Sequence, residues 1–378
     1  MGYRDRGCCR SLHRQSVRRL LRRAKCWIQY GQHRAGRLSQ LILSLMLSLM
    51  LSQSQVMHQQ ERPVSNCSAE GRWLIFLMMI AMLLTGSAAR ADDPASGASG
   101  RRQTLLHDGV ERHYLLRTPA ESALRAGAVP LVLVLHGGGG NAENAEHMTG
   151  FSDKARREGF IVVYPEGTGR LSEKLLTWNA GHCCGYAMAH QVDDAGFIRT
   201  LINRLVKEYP IDPKRVYVAG MSNGGMMTHR LGRELSDQVA AIAPVVATVF
   251  GDESNAAHPV SAIMLNGMLD KAVPYAGGPP GGRFTDAWDG TPAKPARAQG
   301  SYWAITDGCS AEPDRQDHGS YIEWQYSCPA GKSVELYLLK DSGHAWPGGQ
   351  KGSRLGDTPS AALNATDLIW AFFAAHGR

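Results

Sequence analysis

Val216-Tyr217-Val218-Ala219-Gly220-Met221-Ser222-Asn223-Gly224-Gly225 reads as an apolar strand running into Gly-x-Ser-x-Gly, and Met226-Met227-Thr228-His229-Arg230-Leu231 continues it as a helix. Strand, sharp turn and helix in this order push a serine hydroxyl out at the carboxyl end of a sheet. Gly220 and Gly224 are expected to be glycine because strand and helix crowd the turn, and a Cβ there would clash. The positive end of the following helix lies under the serine, where negative charge develops during acyl transfer. Ser222 is the candidate nucleophile.

A serine hydroxyl is a weak nucleophile and needs a base, which an acid must orient. With this kind of turn the chain order is Ser, then Asp or Glu, then His. The strand ending at Leu265 runs into Asn266-Gly267-Met268-Leu269-Asp270, which puts Asp270 just past a strand end; Asp252, Asp286 and Asp289 follow no strand so closely. The last strand, Val334–Leu339, leads to Asp341-Ser342-Gly343-His344-Ala345-Trp346-Pro347-Gly348-Gly349, and His344 on this loop is the candidate base. His258, His318 and His376 are less well placed. Two backbone amides must hold an oxyanion. One is expected from Asn223 and the other from His136-Gly137-Gly138-Gly139-Gly140, with Gly138 favoured and Gly137 close behind.

Weaker signals surround these. Trp178, in Trp178-Asn179-Ala180-Gly181-His182-Cys183-Cys184-Gly185, is expected either in the cleft, stacking on an aromatic acyl group, or in ordinary packing. Trp346 is expected at the substrate site beside His344. Asp193-Asp194 precedes an amphipathic helical stretch and is expected to cap it.

The rest of the mature chain alternates strand with helix. Leu131–Leu135 and Phe160–Tyr164 are fully apolar, as strands of a parallel sheet covered on both faces are. Ala240–Val246 and Val260–Leu265 read as further strands, and Gly196–Tyr209 is helical, with Phe197, Leu201 and Leu205 at i, i+4 spacing. Asp108-Gly109 between apolar runs marks a hairpin, and Asn364 caps a final helix. The fold class is α/β: one domain over 101–378 with a mostly parallel central sheet and helices on both faces. Pro274–Ala298 breaks the rhythm. It is rich in Gly and Pro, carries Phe284 and Trp288, and is expected as a loop at the rim of the cleft.

Composition would mislead if averaged. The whole chain carries a net charge of +7, but residues 1–91 hold 14 Lys+Arg against 3 Asp+Glu, leaving 27 basic and 31 acidic residues from Asp92 onward. The basic balance belongs to a leader and gives no argument for nucleic acid. Arg72, the apolar run Trp73–Leu84 and Ala89-Arg90-Ala91 form a secretory signal, with cleavage expected after Ala91. The run is shorter than the roughly 20 residues that span a bilayer, so no stable anchor is expected. Met57 is the expected true start, and 92–100 reads as a flexible linker. The exported part keeps Cys183, Cys184, Cys309 and Cys328. Cys309–Cys328 is the favoured disulfide because it brackets a hairpin, with Cys183 and Cys184 left as a vicinal pair or free. No Cys-x-x-Cys or His-x-x-x-His spacing supports a metal site.

Taken together, Leu135-His-Gly-Gly-Gly139, Tyr164-Pro-Glu-Gly167, Trp178-Asn-Ala-Gly181 with Cys183-Cys184, Val192-Asp-Asp194, Gly220-Met-Ser-Asn-Gly-Gly225 and Gly343-His-Ala-Trp-Pro-Gly348 resemble one family. It is the secreted polyhydroxybutyrate depolymerase-like esterases, which include feruloyl esterases. The resemblance covers most of residues 128–350. It implies an α/β-hydrolase fold, a Ser222–Asp270–His344 triad, no cofactor and hydrolysis of carboxylic esters. The chain departs from the family at Asn266, where members more often carry histidine. No polymer-binding domain is expected after the catalytic one, and the expected substrates are therefore soluble or side-chain esters: hydroxycinnamoyl or acetyl groups on plant polysaccharide, or short hydroxyalkanoate oligomers. A serine peptidase and a non-catalytic exported carbohydrate binder are the competing expectations.

Overall fold

The computed structural model describes residues 102–171, 174–281 and 285–378. The signal run, the cleavage site after Ala91, the 92–100 linker and Phe284 lie outside the described residues.

The chain enters as a hairpin, β1 (Arg102–His107) and β2 (Val110–Arg117), turned by Asp108 and Gly109, both at positive φ. A short helix α1 (Glu121–Ala126) leads to β3 (Val129–Leu135), then α2 (Ala142–Thr149), α3 (Phe151–Glu158) and β4 (Ile161–Pro165). After α4 (Gly185–Ala189) and α5 (Asp194–Glu208) come β5 (Ile211–Met221), α6 (Asn223–Glu234), β6 (Ala241–Val245) and β7 (Ser261–Gly267). The last part is α7 (Ala296–Thr306), the hairpin β8 (Asp314–Asp317) and β9 (Tyr321–Ser327), β10 (Ser333–Leu339) and α8 (Ala365–Ala375).

One sheet holds ten strands in the order β1-β2-β4-β3-β5-β6-β7-β10-β9-β8. From β4 to β10 the pairing is parallel, and the outer strands on either side join antiparallel. The central strands are apolar at every position because both faces are covered. On β3, Leu131, Leu133 and Leu135 pack with Phe197 and Leu201 of α5, Met227 and Leu231 of α6 and Trp303 of α7. Val132 and Val134 point the other way, into a core with Ala145 of α2, Phe151 of α3 and Ile369 and Phe373 of α8. The period-two alternation of a strand thus assigns three helices to each face.

Asp193 caps α5, its Oδ1 accepting from the Gly196 amide at 2.9 Å. Asp194 instead is buried. It takes the Arg112 guanidinium at 2.6 Å and the Asn179 amide at 2.8 Å, tying the β2 hairpin to the loop that precedes the helix. The expected disulfide Cys309–Cys328 is present and closes the β8/β9 hairpin, and Cys183–Cys184 is a vicinal pair. The stretch 274–298 is only partly loop. Helix α7 begins inside it at Ala296, directly after Pro295, because Gln299, Trp303 and Ala304 find a buried face against the sheet.

Candidate active site

Ser222 occupies the turn between β5 and α6 with φ 57° and ψ −123°, a conformation strained for a residue with a side chain. Its amide donates to Val245 O at 2.9 Å, and its carbonyl accepts from Met226 N at 2.8 Å, so the turn is fixed on both sides. A Cβ at Gly220 would run into the Gly224 carbonyl, and one at Gly224 would run into the carbonyls of Leu135 and His136. The two glycines therefore let the helix start directly against β3 and β5.

Asp270 follows β7 by three residues and is buried. Its Oδ1 accepts from the amides of Ala272 at 2.8 Å and Val273 at 2.9 Å, which leaves Oδ2 aimed at His344. His344 sits on the loop after β10, which β7 approaches closely at Gly267. Its Nδ1 lies 2.7 Å from Asp270 Oδ2, and its Nε2 lies 2.9 Å from Ser222 Oγ. A carboxylate only accepts, so Nδ1–H donates to Asp270 and Nε2 is left to accept the serine proton. The three sequence candidates, spread over 122 residues, are brought into one hydrogen-bonded line.

The glycine loop lies over this turn. The position of a Cβ on Gly138 is 3.6 Å from Asn223 Cβ, and that on Gly137 is 3.5 Å from Ser222 Cβ. The amides of Gly139 and Gly140 donate to Leu176 O and Gly137 O, so the expected second donor stays with Gly138 or Gly137. His136 holds the loop. Its Nε2 accepts from Gly167 N at 3.0 Å and its Nδ1 donates to Gly137 O at 2.8 Å. Burial pushes its pKa down to about 4, against the pull of that carbonyl, so the ring is neutral and carries its proton on Nδ1.

Two expectations about substrate contacts are corrected. Trp178 is fully buried, its ring tilted against His136 and its Nε1 donating to His136 O at 3.0 Å, so no indole face is offered to the cleft. Trp346 is 1% exposed, edge-on to Phe151, with Nε1 donating to Thr366 Oγ1 at 3.0 Å. Both indoles pack the scaffold because each finds a buried hydrogen-bond acceptor there.

Other residues at the site were not read from the sequence. The Asn223 side chain is gripped by Trp178: Trp178 N donates to Oδ1 at 2.7 Å, and Nδ2 donates to Trp178 O at 2.9 Å. Asp357 accepts from the His344 amide at 2.7 Å and packs against Gly343. Asn266, in the position where histidine was expected, donates to Ala247 O at 2.9 Å and accepts from Gln299 at 3.0 Å. Gln299 in turn bonds His229 Nε2 at 2.7 Å, and Trp303 Nε1 donates to His229 Nδ1 at 2.9 Å. A buried polar chain thus links α7 and α6 to the end of β7, just before Asp270.

Among the described residues, His107, Asp108 and Asp193 alone cluster as metal ligands would, where the tip of the β1/β2 hairpin meets the cap of α5.

A parallel-centred sheet with helices on both faces, and a serine on the turn after its central strand facing a histidine from a later loop, defines an α/β-hydrolase. Residues 112–276 match the family model described as Esterase PHB depolymerase. The chain is 31% identical over 233 residues to a feruloyl esterase B of Piromyces equi, an alignment covering 60% of this chain and 41% of that protein. It is 28% identical to the putative esterase NocK of Nocardia uniformis subsp. tsuyamanensis, covering 72% of this chain and 80% of the relative. A poly(3-hydroxybutyrate) depolymerase of Ralstonia pickettii is 32% identical over 45% of this chain and 36% of its own length. The chain thus spans less than half of the first and third of these relatives.

Proposed function

We propose that this chain is an exported carboxylic-ester hydrolase that works through an acyl-enzyme on Ser222. The observation that carries the reading is the line Ser222 Oγ, His344 Nε2 and Nδ1, Asp270 Oδ2, with contacts of 2.9 and 2.7 Å. His344 takes the serine proton as Oγ attacks the ester carbonyl. The amides of Asn223 and Gly138 receive the oxyanion, which the amino end of α6 also favours. The imidazolium, held by Asp270, then protonates the leaving alcohol, and the C–O bond to it breaks. Water enters, gives a proton to His344 and attacks the acyl carbon; the bond from that carbon to Ser222 Oγ then breaks as His344 returns the proton to Oγ, and the acid leaves.

Residues 101–378 form the catalytic domain of this proposal, the signal segment 57–91 directs export, and 92–100 is the linker between them. The Cys309–Cys328 disulfide suits an oxidising compartment. No helix among the described residues is long and apolar enough to cross a membrane.

The names of the relatives point to two substrate classes: feruloyl esters and 3-hydroxybutyrate esters. Initial rates on methyl ferulate and on a 3-hydroxybutyrate oligomer, with Ser222→Ala as the blank, separate them. The better substrate names the acyl class. Rates equal to the blank on both would remove the support for ester hydrolysis.

A further inference from the structure

His182 lies outside the line of reacting groups, yet both of its ring nitrogens are engaged by carboxylates. Nδ1 is 2.7 Å from Asp289 Oδ2, and Nε2 is 2.8 Å from Asp252 Oδ2. Thr291 Oγ1 stands 3.1 Å from Nδ1. A carboxylate cannot donate, so this double contact needs a proton on each nitrogen, which only the imidazolium has. The three residues come from three loops, 70 and 107 positions apart along the chain.

Those loops carry one apolar cluster: Cys183 and Cys184 from the first, Phe250 from the second, and Trp288 from the third. Phe250 meets the Trp288 ring edge-on at 5.5 Å, and Cys183 pairs with Trp288 through the backbone. Asp289 N donates to His182 O at 3.1 Å. The cluster continues inward to Met226 of α6 and to Val273, whose amide binds Asp270. Cys183 Sγ lies 3.7 Å from Asn223 Nδ2, beside the nucleophile. The wall thus adjoins both ends of the proposed catalytic line.

We infer that His182 is a positioning residue for substrate: as an imidazolium it straps these three loops together and so holds the buried apolar cluster, and with it the part-exposed Trp288, beside the reacting groups where the ester's acyl group is bound. The inference rests on the reading of Ser222, Asp270 and His344 as the reacting groups. Partial burial works against the charged ring, but the bonds to Asp289 and Asp252 outweigh it and leave the pKa raised above its usual value. Other charged groups on the packed elements turn elsewhere. Glu253 binds the Phe250 and Gly251 amides, Lys294 lies along Gly251, and Arg230 of α6 reaches Asn179 O. Because the folded pKa is raised, the strap is complete at low pH and loosens as pH rises through that pKa.

The test follows KM and kcat of the full chain on p-nitrophenyl butyrate from about pH 5 to 9. Wild type is expected to show KM rising roughly three- to fivefold toward alkaline pH, a modest change because both carboxylates are solvent-accessible. His182→Gln carries both of its donors on one nitrogen with an acceptor oxygen beside it, so it does not replace the two opposed N–H groups and should show the high KM at every pH, with kcat kept. Asp289→Asn supplies an amide that donates to a neutral ring, so KM should stay low and flat with pH. A KM for His182→Gln equal to wild type throughout, or an Asp289→Asn profile that still rises like wild type, overturns the inference. So does a loss in kcat alone. Activity surviving Ser222→Ala would instead overturn the underlying reading, so the two failures are distinguishable.

Discussion

The Asn223 side chain exchanges two hydrogen bonds with the backbone of Trp178, at 2.7 and 2.9 Å, one residue after the candidate nucleophile. Asn223 is expected to serve the oxyanion through its main chain, so the side chain acts by fixing where that amide points. Asn223→Ala keeps the amide but leaves the buried Trp178 N–H unpaired, while Trp178 O keeps the amides of Ala180 and Cys184. The expected outcome is a loss of roughly 1–3 kcal/mol in stability, measured by urea unfolding. A fall of about tenfold in kcat should accompany it. Unchanged kcat in a destabilised variant would make the contact purely structural.

Stability should fall in acid through two buried histidines. Burial pushes the pKa of both His136 and His229 down from 6.5 to about 4. The unfolded chain takes up these protons first, so their contribution is complete above 6.5 and is lost as pH falls toward 4. Each represents up to about 3 kcal/mol. Thermal melts between these pH values should show a steep decline, and His229→Gln should flatten part of it. Equal slopes in the two proteins would contradict the assignment.

Asp307 should weaken the fold at alkaline pH. Its Oδ1 accepts from Val260 N at 3.0 Å, while its buried Oδ2 has no partner among the described residues. Burial raises its pKa to about 7, against the pull of that amide. A carboxyl whose folded pKa is raised is stabilising when protonated, and stability falls as pH rises from 3.8 through about 7. Asp307→Asn keeps the acceptor and removes the buried charge. It should gain about 2 kcal/mol above pH 8 or so and little in acid. A pH-independent difference in the unfolding midpoint would count against this.

The Cys309–Cys328 bridge closes a loop with a sequence separation of 19 at the outer edge of the sheet. Replacing both residues by serine should lower stability by about 3 kcal/mol through the unfolded chain. The hydrolytic rate should stay unchanged, since β8 and β9 lie beyond β10 from Ser222. Lost activity in a folded variant would show that the edge hairpin supports the site.

The nucleophile turn, the sheet strands and the placement of Asp270 and His344 were legible because backbone chemistry marks them. Glycines flank the crowded turns, and apolar runs end where the candidate side chains begin. Trp346 was misread and Trp178 was left open because nearness to a motif in sequence does not tell which way an indole packs. Asp357, the Asn223 side chain and the His182 strap were invisible for a different reason: each acts through a contact made only when distant loops meet. Helices α2 and α3 are eight residues each, too short for their apolar spacing to stand out. Asn266 in place of the expected histidine became interpretable only once Gln299, His229 and Trp303 were seen behind it.

The most direct test of the account is intact-mass measurement of the protein after treatment with a fluorophosphonate, beside Ser222→Ala. The account predicts one adduct per chain, located on Ser222, and none on the variant. An unmodified wild type, or an adduct that persists in Ser222→Ala, would contradict the claim that Ser222 is the activated nucleophile.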